Sequence, residues 1–145
     1  MSLDKYQIIR KMLELRLIDR DTLTRVLLIC RCRNINILKV LANYAGMSIE
    51  EIRKFVEDHF DVPSLDLNDI ALNPDIVRMV PKDLAMEHQM VPAFKIRDCL
   101  HLAVANPFDL EGINRIKGFI GEESHIFLAP ETQVMQVIHK YSFGY

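Results

Sequence analysis

Residues 100–116 read L-H-L-A-V-A-N-P-F-D-L-E-G-I-N-R-I and change from a strand pattern to a helix pattern across one turn. The first part alternates apolar with smaller or polar side chains, so three apolar residues share one face of a strand: Leu100, Leu102 and Val104. Pro107 ends this strand because it has no N–H for the ladder, and Asp109 can cap a helix. Apolar residues then recur at three- and four-residue steps: Leu110, Ile113, Ile116 and Ile120. The stretch therefore predicts the start of a β-α-β unit.

The segments on either side complete a small α/β unit. Residues 91–97 predict a strand that turns at Asp98 and pairs with residues 100–105 as an antiparallel hairpin, and Pro92 favours an edge position for it. A third strand is predicted at 125–129, and a right-handed crossover through the intervening helix makes it parallel to the second strand. Three more helices are predicted, at 74–79, at 81–88 and after Pro130. The order is α-β-β-α-β-α.

Residues 3–60 predict four helices that form two copies of one helical hairpin. Apolar residues of the second helix in each copy match at an offset of 29: Leu23, Val26 and Leu27 against Ile52, Phe55 and Val56. Asp19 can cap the second helix, Ser48 and Glu51 can form a capping box for the fourth, and Gly46 can close the third in the left-handed conformation. Each helix has a predicted buried face, and these faces include Tyr6, Leu27, Tyr44 and Ile49.

The predicted fold class is α+β. A four-helix repeat of two helical hairpins occupies residues 1–62, and an α-β-β-α-β-α subdomain with a three-stranded mixed sheet occupies residues 63–145. The connector 63–73 is too apolar for a free linker. Its large side chains are predicted to be buried between the two halves: Leu65, Leu67, Ile70 and Leu72.

Composition excludes several classes of protein. The chain has 145 residues, of which 50% are hydrophobic and 26% charged, so it can bury a core and is not disordered. The net charge of −2 and a pI near 6.2 give no broad field for nucleic acid or an anionic membrane. The longest apolar run, Val26 to Cys30, is too short to span a bilayer, and no secretory signal pattern begins the sequence. The prediction is a cytoplasmic chain without direct membrane insertion.

No pattern of residues predicts catalysis, a cofactor or a metal. Five glycines form no G-x-x-x-x-G-K-S/T loop, so nucleotide hydrolysis by this chain alone is not expected. His101 and His125 lie on neighbouring predicted strands and are the only histidine pair expected to approach each other. A metal would need three or four ligands. The C-x-C at Cys30 and Cys32 is interpreted as structural thiols, and Gly118 to Gly121 as a helix end rather than an RNA-binding G-x-x-G loop.

Arginines are densest around the first helical hairpin: Arg10, Arg16, Arg20, Arg25, Arg31 and Arg33. Guanidinium groups suit both phosphates and carboxylates. The run is either a solvated face or a surface for an anionic partner.

Five motifs between Pro63 and Tyr141 carry a resemblance to a known family. They read, in order, P-S-L-D-L, N-P-D-I-V-R-M-V-P-K-D-L-A, M-V-P-A-F-K, L-H-L-A-V-A-N-P-F-D-L-E-G-I and V-I-H-K-Y. The chain resembles the N-terminal, MshEN-type domain of type II secretion and type IV pilus assembly ATPases. The resemblance implies a non-catalytic domain that docks the motor to the cytoplasmic part of its inner-membrane platform, to the ATPase core or to neighbouring subunits. It also implies a cytoplasmic location, peripheral to the inner membrane through a partner.

The helical repeat is similar to the paired motif R-L-G-x-x-L-x-x-x-G with which MshE-type members bind cyclic di-GMP. Ile37, Leu38 and Lys39 stand at R-L-G in the second copy, where Gly46 keeps the later glycine, and Arg16 stands at that glycine in the first copy. The arginine and first glycine are therefore absent from both copies. Cyclic di-GMP sensing is the alternative function, with five candidate ligand-binding residues: Arg10, Arg16, Arg31, Leu38 and Gly46.

Overall fold

The structure is a computed structural model that describes residues 5–29, 31, 36–121 and 123–142. The described part contains four helices before the connector: α1 (Lys5–Glu14), α2 (Arg20–Ile29), α3 (Ile37–Ala45) and α4 (Ile49–Phe60). The connector contains a short 3₁₀ helix, Leu67–Asp69. The remaining helices are α5 (Pro74–Val77), α6 (Lys82–His88), α7 (Leu110–Ile120) and α8 (Glu131–Ser142). Cys30, Cys32 and Arg33 lie outside the described residues.

The predicted three-stranded mixed sheet is confirmed. Its strands are β1 (Met90–Ile96), β2 (Cys99–Val104) and β3 (Ser124–Leu128), in the spatial order β1-β2-β3. β1 pairs with β2 in antiparallel orientation. β2 pairs with β3 in parallel orientation, and α7 connects these two strands along the chain. Pro92 lies on the edge strand, as predicted, and the register shifts between Pro92 and Phe94.

The β1–β2 hairpin turns through Arg97 and Asp98, which confirms the predicted position. Both residues have positive φ, 51° and 65°, which is the pattern of a two-residue type I′ turn. Neither is glycine, so the turn has a conformational cost that pairing and packing of the flanking strands must offset.

The two helical hairpins contain the same kind of backbone turn. Arg16 lies in the turn after α1 with φ 61°, and Gly46 lies in the turn after α3 with φ 68°. In both copies the next residue donates a hydrogen bond back to the helix: Leu17 N to Met12 O at 2.9 Å, and Met47 N to Ala42 O at 3.0 Å. The second turn is one residue shorter, because the caps Asp19 and Ser48 are 29 apart while the left-handed residues are 30 apart. The predicted offset of 29 therefore holds only after the turn.

One continuous apolar core joins the repeat to the sheet. The core includes fully buried Ile8 and Leu38 from the repeat, and Leu102 and Ile138 from the other half. Each such side chain contributes about 2 kcal/mol when it is fully buried. The division into subdomains at residue 62 stays a prediction.

The connector packs mainly on the α/β half. Leu65 N donates to Leu128 O at 2.9 Å and Leu128 N donates to Pro63 O at 2.7 Å, so the connector runs parallel beside β3. Leu67 is 3% exposed, and its N–H bonds Gln133 Oε1 on α8 at 2.9 Å. The prediction that Leu65 is buried is wrong, since it is 40% exposed. Leu67 begins the 3₁₀ helix that Asp66 caps, so the extended backbone of the connector ends between Leu65 and Leu67 and the two side chains do not share one burial environment.

We expect opposite effects from exchanging side chains at the two equivalent turns. Arg16→Gly relieves a left-handed non-glycine residue and should raise the free energy of unfolding by up to about 1 kcal/mol. Gly46→Ala adds a methyl group into open space but forces alanine to keep φ 68°. This substitution should lower the free energy of unfolding by about 1 kcal/mol. Urea unfolding of both variants measures this. Two changes of the same sign would show that the turns are not conformationally equivalent.

Candidate functional site

The strand-to-helix junction at Asn106 to Gly112 is held by two side-chain caps. Asn106 Oδ1 accepts a hydrogen bond from Phe108 N at 3.0 Å, and Asp109 Oδ1 accepts one from Gly112 N at 3.0 Å. The predicted cap at Asp109 is therefore confirmed. Its second carboxylate oxygen, Oδ2, lies 2.7 Å from His88 Nδ1 at the end of α6. One carboxylate thus starts α7 and fixes α7 against α6.

His88 is buried within this junction, with only 2% of its side chain exposed. Its Nε2 lies 3.1 Å from Arg115 Nη1, and Arg115 also donates to Glu87 Oε2 at 3.2 Å. A guanidinium can only donate, so Nε2 is the acceptor and Nδ1 carries the proton that is donated to Asp109. Each polar atom of the buried imidazole is therefore paired.

A cleft of about 260 Å³ adjoins His88 and separates α3 from the α/β half. It is lined by Asn36, Lys39, Glu87, His88, Gln89, Asn106 and Asp109. Among the described residues, no serine, threonine or cysteine that the His88–Asp109 pair could activate lines the cleft. The cleft is also smaller than most ligand pockets, which have volumes of about 300–1,000 Å³. The arrangement is structural in character.

Lys39 makes a direct connection between the two halves of the chain. Its ammonium forms an ion pair with the Glu131 carboxylate at the start of α8, and Gln89 Nε2 donates to Glu131 Oε1 at 2.6 Å. Lys39 stands where the nucleotide-binding motif has its first glycine. In this chain the side chain at that position reaches an acidic residue of the same molecule.

The five residues predicted to bind a ligand have different environments. Arg10, Arg16 and Arg31 are exposed, Gly46 is exposed in the second turn, and Leu38 is fully buried in the core. A ligand-binding role for these five residues stays a prediction.

A larger groove, of about 660 Å³, lies between the connector and the outer face of the sheet. One wall is formed by Phe60, Asp61, Val62, Pro63 and Leu65, and the other by Phe94, Ile96, His101, His125, Ile126 and Phe127. Sequence reasoning missed this groove. The signal available was the alternation of Phe94 with Ile96 and of His125 with Phe127, which points these side chains to one face.

Stacked rings form the sheet wall of the groove. Phe94 stacks on His101 with ring centroids 4.6 Å apart and on Phe127 at 5.7 Å. The His101 and His125 rings are 5.5 Å apart, which confirms the predicted approach. Burial, and secondarily the charge of His125, lowers the pKa of His101 below its ordinary value, so this imidazole is held neutral. Within the described ranges no group of three histidine, cysteine, aspartate or glutamate side chains could hold a metal ion.

The first helical hairpin exposes large apolar side chains beside its arginines. The exposed apolar residues are Tyr6, Leu15, Leu17, Leu27 and Leu28. The predictions that Tyr6 and Leu27 are buried are wrong, as are those for Tyr44 and Ile49, because Ile8, Val26, Leu38 and Ile52 fill the core positions instead. Arg10, Arg16, Arg20, Arg25 and Arg31 are also exposed. None of the helices in the part of the chain that the structure describes has the length and apolarity needed to cross a membrane.

The fold and the sequence place the chain among known proteins. Residues 60–143, more than half of the chain, match the MshEN domain. The type IV pilus assembly ATPase PilB of Myxococcus xanthus (strain DK1622) is 28% identical over 96 residues, which are 65% of this chain and 17% of PilB. The chain thus spans about a sixth of that relative's length.

Solved structures show the same fold. The structure of MshE with cdg (cyclic di-GMP) has a TM-score of 0.70 at 18% identity and covers 90% of this chain and 94% of its own. Two crystal forms of the N-terminal domain of XpsE give TM-scores of 0.61 and 0.68 at 16% and 14% identity, with 96–97% of each chain covered. The class is therefore an N-terminal domain of the kind found in secretion and pilus ATPases. The chain belongs to the MshEN domain family.

The close approach of His88 to Gly112 generates a stability prediction. A Cβ on Gly112 would lie 2.5 Å from both His88 Nδ1 and Asp109 Oδ2, and both atoms are fixed by their mutual hydrogen bond. We expect Gly112→Ala to lower the free energy of unfolding by about 1–3 kcal/mol. Gly118→Ala is the matched control, since its Cβ meets nothing within 4 Å in the same helix, and it should raise stability by about 0.5–1 kcal/mol.

A double-mutant cycle separates the clash from a general effect on α7. In a His88→Ala background the cost of Gly112→Ala should fall by at least about 1 kcal/mol, since contacting sites couple by that order. Additive costs in thermal or urea unfolding would contradict the proposed contact.

Proposed function

We propose that this chain is a non-catalytic docking and regulatory domain of a type II secretion or type IV pilus assembly ATPase. It connects the motor to the cytoplasmic part of the platform protein or to the ATPase core, and is held at the inner membrane through that partner. The observation that carries the proposal is the surface of the α1–α2 hairpin. There, exposed leucines lie among exposed arginines.

The composition of this hairpin suits a protein interface. Interfaces are enriched in arginine and aromatic residues, and a few such side chains carry most of the binding energy. Of the eleven large apolar side chains exposed among the described residues, five lie on this hairpin: Tyr6, Leu15, Leu17, Leu27 and Leu28. Residues 5–31 hold seven basic and three acidic side chains, so the complementary partner surface is apolar and acidic.

Two features of the chain support the non-catalytic role. Its sequence has no phosphate-binding loop, and its buried His88–Asp109 pair is fully engaged in structural hydrogen bonds. PilB, to which the chain is similar over a sixth of its length, is named as an ATPase. We assign hydrolysis to the remainder of such a motor and docking to this domain.

Leu28→Glu tests the docking surface. Leu28 is 56% exposed near the end of α2, so the substitution should leave the fold intact while placing a negative charge among the exposed apolar side chains of the hairpin. We expect capture of the platform's cytoplasmic domain, or of the ATPase core, to weaken by about tenfold or more. Phe119→Glu is the control, because Phe119 is similarly exposed, at 52%, on α7. Equal capture by both variants would remove the hairpin from the interface.

Cyclic di-GMP sensing is the second candidate because MshE, a structural neighbour, has been solved with cdg. The Lys39–Glu131 ion pair and the small cleft beside it argue against binding in the same manner. Calorimetry should give a Kd weaker than about 100 μM. A micromolar Kd that is lost in Arg16→Ala would instead favour the sensing function.

A further inference from the structure

Charge is unevenly divided between the α1–α2 hairpin and the segment that contains α4 and the start of the connector. Residues 5–31 carry seven basic and three acidic side chains, whereas residues 49–69 carry seven acidic and two basic ones. All seven acidic residues of the second segment are exposed: Glu50, Glu51, Glu57, Asp58, Asp61, Asp66 and Asp69. The chain therefore has a basic surface and an acidic surface, although its net charge is only −2.

The acidic segment also forms one side of the large aromatic groove. Phe60 to Leu65 make its connector wall, with Asp61 among them, and the stacked Phe94 and His101 make the opposite wall. Ile96 on the sheet wall is 54% exposed, and Leu65 on the connector wall is 40% exposed. The groove thus offers an apolar, aromatic interior with one carboxylate, Asp61, in its lining, and Glu57 and Asp58 precede that wall in the sequence.

These properties complement those of the α1–α2 hairpin. Its exposed leucines can fill an apolar groove, and its arginines can pair with carboxylates and stack on aromatic and imidazole rings. Burial lowers the pKa of His101, which favours the neutral imidazole against which a guanidinium can stack.

We propose that the groove between residues 60–65 and the sheet binds the α1–α2 hairpin of a second copy of this chain, in a head-to-tail contact. The inference rests on the proposed function in taking the hairpin as a docking surface, and it names the partner surface. Because hairpin and groove are different patches, a bound pair of copies still has one free hairpin and one free groove. Such an interface builds rings or open chains rather than a two-fold dimer.

Sedimentation velocity of the 145-residue chain over a range of concentrations tests this contact. The hairpin variant is Leu28→Glu and the groove variant is Ile96→Arg, both at exposed positions. Each variant alone should associate at least about tenfold more weakly than the wild type. Phe119→Arg, exposed on α7 and outside the groove lining, should associate like the wild type.

Mixing the two variants is the decisive step. The mixture contains one intact hairpin on Ile96→Arg and one intact groove on Leu28→Glu, so it should form a heterodimer that cannot grow further. Association should also weaken as salt rises, because the paired charges are at the surface. A wild type that stays monomeric throughout, variants that associate as the wild type does, or a mixture without heterodimer would each overturn the proposal.

The same variants distinguish this inference from the docking function. Ile96→Arg leaves the hairpin intact and should still capture the platform domain or ATPase core. Loss of self-association with capture retained therefore supports both proposals. Capture that depends on Leu28, from a wild type that never self-associates, would leave docking standing and reject the head-to-tail contact.

Discussion

The Asp109 carboxylate is the interaction on which the arrangement of the α/β half depends. Its Oδ1 accepts a hydrogen bond from Gly112 N and so caps α7, and its Oδ2 accepts a hydrogen bond from Nδ1 of buried His88. The cap fixes where the helix starts, and the histidine fixes which way it leaves the sheet. Because α7 is the crossover, its direction determines where β3 lies against β2. The groove wall with His125 and Phe127 follows from that placement.

The helical repeat shows how one backbone can carry two different surfaces. Both copies turn through a left-handed residue and both second helices begin at a side-chain cap. Their charges differ, since residues 5–31 carry seven basic and three acidic side chains, whereas α3 and α4 carry four acidic and three basic ones. The shared turn is a requirement of the fold, whereas the surface decides which partner each copy can meet. Lys39 illustrates the difference, because it occupies a glycine position of the binding motif and pairs with Glu131.

Local signals explain how much could be predicted from the sequence. The hairpin at Asp98, the caps at Asp109 and Ser48, the left-handed Gly46 and the parallel crossover all depend on residues close together in the chain. The contacts that position the candidate sites are not local. His88 meets Asp109 across 21 residues, and nothing in the intervening pattern specifies that pairing. Periodicity likewise gave Tyr6 a buried position, but the buried face of α1 is centred on Ile8, Ile9 and Met12, and Tyr6 lies about 200° from Ile8 around the helix.

The central claim is that the repeat serves as a protein-docking surface and does not receive a nucleotide. Amide hydrogen exchange of the chain, alone and with each addition, tests it directly. With the platform domain or the ATPase core, protection is predicted over residues 5–29. Cyclic di-GMP should leave residues 36–47 exchanging at their original rate. Protection of the Gly46 turn by cyclic di-GMP, with none over α1 and α2 from the protein partners, would contradict the account.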